Sequence, residues 1–107
     1  MQTKTNTDCG LSQDDIIRIQ QVFASCPRLK KAILFGSRAM GTHRPGSDID
    51  IALDGEELTI QDQLRLMGMI DELNLPNFFD LILLKQVNNQ DLISHINRVG
   101  KIIYSNK

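Results

Sequence analysis

A chain of 107 residues fits a single domain, and a domain of that size buries about two thirds of the surface its unfolded chain exposes, enough for one core and too little for a second, acceptor-binding domain. Twelve basic residues against thirteen acidic ones leave a net charge of −1, which excludes an extended nucleic-acid surface held by counterion release. Aromatic residues make up only 5% and tryptophan is absent, so a stacking platform for single strands is excluded as well.

Residues 1 to 11 read as a disordered lead-in and residues 12 to 107 as the domain. Met1 to Gly10 is polar and lacks the apolar core of a secretory signal, and no run approaches the ~20 apolar residues of a membrane span. A cytoplasmic protein is expected, with Cys9 and Cys26 as ordinary reduced thiols and Cys26 half-buried.

Order is expected from Ser12, which caps a helix whose Ile16, Ile19, Phe23 and Cys26 recur at spacings of three and four until Pro27 ends it. Lys31 to Phe35 is a short apolar run stopped by Gly36, a buried strand entering a tight turn. After Pro45-Gly46-Ser47, Asp48 to Leu53 alternates: Ile49, Ile51 and Leu53 face one way, and Asp48, Asp50 and Ala52 the other.

Thr59 caps the longest predicted helix, running to Leu73, with Ile60, Leu64, Met67, Ile70 and Leu73 turned to the core. Leu66 and Met69 widen that stripe, either against the sheet or as a surface for another subunit. Phe78 to Leu84 is the near-continuous apolar run of a strand covered on both faces, interrupted by Asp80. Asn89 to Arg98 reads as a last helix with Leu92, Ile96 and Val99 inward and Gly100 as its stop, before a short strand at Ile102 to Tyr104. This order predicts an α/β (α+β) fold: a small mixed sheet of about four strands packed on helices.

Asp48 and Asp50 project to the same face a few ångströms apart, where like charges repel. A shared proton, screening water or a divalent cation relieves that repulsion, and hard cations such as magnesium prefer such oxygen ligands. Asp-x-Asp taken singly is more often a solvated turn. A lone Asp80 inside an apolar strand, however, loses hydration at a cost of several kcal/mol unless it is satisfied. An arginine, a strand end open to water, or a cation shared with Asp48 and Asp50 would each satisfy it.

Gly36-Ser37 directly after a strand lets backbone amides and a hydroxyl approach a phosphate, although Gly-Ser alone is usually no more than a turn. Arg38 and Arg44 could neutralise phosphate oxygens, and Gly41 permits the return bend. His43 has no evident orienting partner and His95 lies on a helix face, so both read as ordinary histidines. Ser37 lacks the Gly-x-Ser-x-Gly elbow of a hydrolase nucleophile.

Together, Gly36-Ser37-Arg38-Ala39-Met40-Gly41, Arg44, Ser47-Asp48-Ile49-Asp50 and a later strand aspartate resemble the polymerase-beta-type nucleotidyltransferase superfamily, and within it the minimal nucleotidyltransferases (MNT proteins), over about residues 30 to 104. The resemblance implies that Asp48, Asp50 and Asp80 bind two magnesium ions and serve in catalysis. It also implies that Gly36 and Ser37, with Arg38 and Ser47, hold the triphosphate of ATP or another nucleoside triphosphate. Met40 departs from the basic residue often found at its position.

Proteins of this minimal class pair with an all-helical HEPN protein, often as toxin and antitoxin. The expected activity is therefore transfer of AMP from ATP to a hydroxyl of a protein partner, with a partner or a second copy completing the site. A non-catalytic antitoxin acting by complex formation, and a small-molecule nucleotidyltransferase acting as a homodimer, are the alternatives.

Overall fold

The computed structural model describes residues 11–36, 48–75 and 77–106. Within them lie α1 (Gln13–Ala24), β1 (Lys31–Phe35), β2 (Ile49–Asp54), α2 (Ile60–Asp71), β3 (Phe79–Leu83), a single 3-10 turn (Leu84–Gln86), α3 (Gln90–Val99) and β4 (Lys101–Ser105). The strands form one mixed sheet in the order β3-β2-β1-β4. β1 runs antiparallel to both β2 and β4, and β2 runs parallel to β3, so α2 serves as the crossover that a parallel pair requires.

Each helix starts where its sequence supplies an acceptor. The Ser12 side chain accepts from the Asp15 amide and Asn89 accepts from Asp91 and Leu92. Thr59 and Asp62 form a reciprocal capping box at the start of α2, satisfying amides that the first helical turn leaves open. α3 ends at Gly100 in an extended conformation rather than a left-handed one. The glycine is needed there for space: a Cβ would meet the Ile96 carbonyl oxygen at 2.3 Å and Ile33 Cγ2 at 2.6 Å.

The sheet has two unequal faces. One carries Leu34, Ile49, Ile51, Leu53, Leu81 and Leu83 into the main core, beneath Ile19 and Phe23 of α1 and Leu66 and Ile70 of α2. The other holds a small cluster of Phe35 and Ala52 beneath Ile96 of α3. The alternation predicted for β2 is present, but its second face is not all solvent, because α3 covers Ala52 and leaves the Asp50 end open.

Several expectations need correction. Leu11, assigned to the lead-in, is buried in the core, and Cys26 is fully buried rather than half-buried; Cys9 lies outside the described residues. On α2 the predicted stripe holds in part: Ile70 is buried and Met67 and Leu73 pack against the core. Leu66 is buried, whereas Ile60 and Leu64 are 54% and 60% exposed. The sequence contains two overlapping apolar stripes, and tertiary ties select between them: the capping box, Arg28 on Asp62, and the Gln63 side chain donating to the Leu81 carbonyl at 2.6 Å. β3 is not covered on both faces either. It is an edge strand, and Asp80 is exposed.

Candidate active site

The pairing of β2 with β3 sets the site. In parallel register Asp50 stands beside Asp80, and Ile49 beside Phe79. Neighbouring strands lie about 4.8 Å apart, and paired residues project to the same face. The two carboxylates therefore share the α3 side of the sheet. Asp48, exposed, precedes the first residue of β2. The burial argument that singled out Asp80 is thus answered by the edge strand, which lets the carboxylate reach water. What joins Asp80 to Asp50 is register.

Asp50 is the strained member. Burial, then the charge of Asp80, then that of Asp48 push its carboxyl above the usual range. Among the described residues no cation-bearing side chain pairs with these carboxylates: the ion pairs there involve Asp15, Asp54 and Asp62 instead. Three hard oxygen donors, one of them held against two like charges, are the chemistry that suits a divalent cation. Among the described residues no group of three or more His, Cys, Asp or Glu side chains is drawn into one tight cluster. The donor set fits such an ion, and the three carboxylates are coupled by charge rather than gathered around one point.

Gly36 closes the other side of Asp50. β1 pairs Phe35 with Asp50, so the next residue turns out of the sheet beside the carboxylate. Gly36 has φ +79°, and a Cβ there would lie 2.6 Å from Asp50 Oδ2. Both observations require glycine. Its amide donates to His95 Nε2 at 3.2 Å, and the His95 ring meets Phe35 edge-on, with centroids 6.3 Å apart. His95 was read from sequence as an ordinary helix-face residue. No local signal distinguishes it, because its partner lies 59 positions away.

Ser37, Arg38 and Ser47, with Met40, Gly41, His43 and Arg44, fall outside the described residues. The site as described therefore consists of Gly36, Asp48, Asp50, Asp80 and His95.

A sequence-family model described as "Polymerase beta, Nucleotidyltransferase" matches residues 18–107. The chain belongs to that family. It is a nucleotidyltransferase, and its fold is the one the family resemblance implied. Among solved structures, a toxin–antitoxin crystal structure with AMP-PNP contains a chain 26% identical to it, at a TM-score of 0.68, covering 91% of this chain and 76% of that one. A structure of the toxin–antitoxin MntA-HepT matches with 22% identity and a TM-score of 0.66, covering 89% and 74%. Another, a tri-AMPylated Shewanella oneidensis HEPN toxin in complex with MNT antitoxin, matches with 21% identity, a TM-score of 0.66 and coverage of 90% and 74%. The last two likenesses concern the fold alone. No protein of curated function matches the sequence. Among the described residues no helix is long and apolar enough to cross a membrane.

Proposed function

We propose that the chain is a magnesium-dependent nucleotidyltransferase that moves AMP from ATP to a hydroxyl of a protein partner, as the antitoxin-type half of a two-component system with an all-helical HEPN protein. The observation that carries this reading is the register that sets Asp80 beside Asp50, with Asp50 next to the left-handed Gly36 at the end of β1. The solved relatives with AMP-PNP and with an AMPylated HEPN toxin support the choice of nucleotide and partner.

Asp48, Asp50 and Asp80 would hold two magnesium ions, which when bound stabilise charge on the transferring phosphoryl group and the leaving pyrophosphate. Gly36 leaves room beside Asp50, and Ser37, Arg38 and Ser47 bind the triphosphate. The sheet order supports one direction for the reaction, with Gly36, just after β1, on the pyrophosphate side, Asp50 at the centre, and Asp80 on the edge strand on the acceptor side. An acceptor hydroxyl approaching from that edge meets Asp80, which helps to remove its proton.

The test uses the purified chain with its partner, ATP and magnesium. Pyrophosphate release and a partner heavier by one or more adenylyl groups are expected. No product at any magnesium concentration overturns the reading.

A second reading, neutralisation by complex formation without chemistry, is favoured by apolar side chains left in water. Ile60 and Leu64 on α2 are joined by Phe78, which is 79% exposed. Alanine at both Asp48 and Asp50 separates the two readings in cells. Protection from the partner that survives the double substitution supports binding. Protection that is lost while the complex still forms supports catalysis.

A further inference from the structure

Gly36 follows the last residue of β1, and its amide has no strand partner among the described residues. β2 pairs with β1 as far as Phe35, and β4 only as far as Leu34. An amide left open at that point would let the peptide plane rotate. His95 fills the gap from α3, accepting at 3.2 Å through Nε2. A ring nitrogen that accepts belongs to a neutral imidazole with its proton on Nδ1. The ring is in turn steadied edge-on by Phe35, which packs with Ala52 and Ile96 in the smaller cluster.

Rotation at Gly36 matters because of what lies on its other side. Its φ of +79° turns the Cα so that Asp50 Oδ2 occupies the space a side chain would take. The amide engaged by His95 and the carboxylate thus grip opposite sides of one residue, and that residue leads into Ser37. Because its N–H is already donated to His95, Gly36 contributes to a phosphate site through shape and not through its own amide.

We infer that His95 is a positioning residue of the nucleotide site: it holds the Gly36 peptide in the left-handed conformation that leaves room for a triphosphate beside Asp50. This rests on the reading of Gly36-Ser37 as the triphosphate turn. His95 touches neither nucleotide nor acceptor and acts through Gly36 alone. A ring that merely packs α3 onto β1 would be replaceable by any apolar side chain of similar size, whereas a positioning acceptor is not.

The experiment measures affinity for a non-hydrolysable ATP analogue with magnesium, in the full chain, for the wild type, His95→Leu and His95→Gln. Exchange of the Gly36 amide hydrogen and the melting temperature are followed for each. His95→Leu keeps apolar volume without an acceptor, and His95→Gln offers an amide oxygen near the position of Nε2. The expected result is about a five- to tenfold weaker affinity and faster Gly36 exchange in His95→Leu, with both restored toward wild type by glutamine.

Wild-type affinity in a folded His95→Leu overturns the inference, as does Gly36 exchange equally fast in wild type and variant. Should the leucine variant not fold, the glutamine variant decides, since slow Gly36 exchange and near-wild-type affinity are required of it. Failure of the wild type itself to bind the analogue is a different result: it removes the nucleotide-site reading, and the positioning role with it.

Discussion

Two aspartates on successive elements, Asp50 on β2 and Asp62 on α2, meet opposite surroundings. Asp62 is buried and fully matched. It accepts from the Thr59 amide at 3.1 Å, receives Arg28 Nε at 3.4 Å and lies 3.8 Å from Arg65. The Thr59 backbone hydrogen bond holds its carboxyl below the usual range; burial opposes this, and Arg28, the Thr59 hydroxyl and Arg65 reinforce it. Asp50 is less buried, yet burial and the charges of Asp80 and Asp48 move it upward. A carboxylate that builds the fold is surrounded by donors. One set among like charges opposes folding at neutral pH, a cost that a bound cation would relieve.

That contrast can be broken at Asp50 first. Asp50→Asn removes a charge and keeps the shape, so nucleotidyl transfer is expected to fall about a thousandfold or more. The same substitution should raise the melting temperature measured without magnesium. The sign follows from linkage: a raised carboxyl favours the folded state while protonated, and that advantage is lost as pH rises through the raised value. The difference in melting temperature between wild type and Asp50→Asn should therefore grow from acid toward neutral pH. Magnesium should stabilise the wild type more than the variant, since only a ligand that binds the folded state raises its stability. Equal magnesium shifts in both would remove Asp50 from the proposed metal site.

At Asp62 the expectation reverses. Asp62→Ala removes one half of the capping box and the buried carboxylate that Arg28 and Arg65 contact, so it should lower stability by about 1–2 kcal/mol, or several degrees in melting temperature. A lowered carboxyl stabilises above its ordinary value and ceases to do so as pH falls through the lowered one. The gap between wild type and Asp62→Ala should close only in strong acid. Denaturant titration across pH checks both the size and the direction.

The smallest effect sharpens the frame around the two sites. Gly68 lies on the exposed side of α2, where a Cβ would meet nothing within 4 Å. Gly68→Ala should stabilise by about 0.5–1 kcal/mol through helix propensity, detectable as a higher denaturation midpoint with unchanged slope and unchanged transfer activity.

The four strands and three helices were legible because each rests on local chemistry: caps at Ser12, Thr59 and Asn89, alternation in β2, and a glycine stop after β1. The rotation of α2 was not legible. Ile60 and Leu64 lie on the same predicted stripe as Met67, Ile70 and Leu73, and the contacts of α2 with Arg28 and with the Leu81 carbonyl go with the turn that buries Leu66 and leaves the first two in water. Asp80 was singled out by an argument from burial that its edge position does not support, even though its neighbour across the strands is Asp50.

By itself the sequence determined which elements form and singled out the aspartates proposed for the chemistry, since capping, strand alternation and the spacing of Asp48 and Asp50 act over a few residues. Tertiary structure alone decided that Asp80 stands beside Asp50, that Gly36 must leave room for that carboxylate, and that His95 holds the Gly36 amide. Each of these is a meeting of segments distant along the chain. Strand order and helix placement fix such meetings, and no local pattern records them.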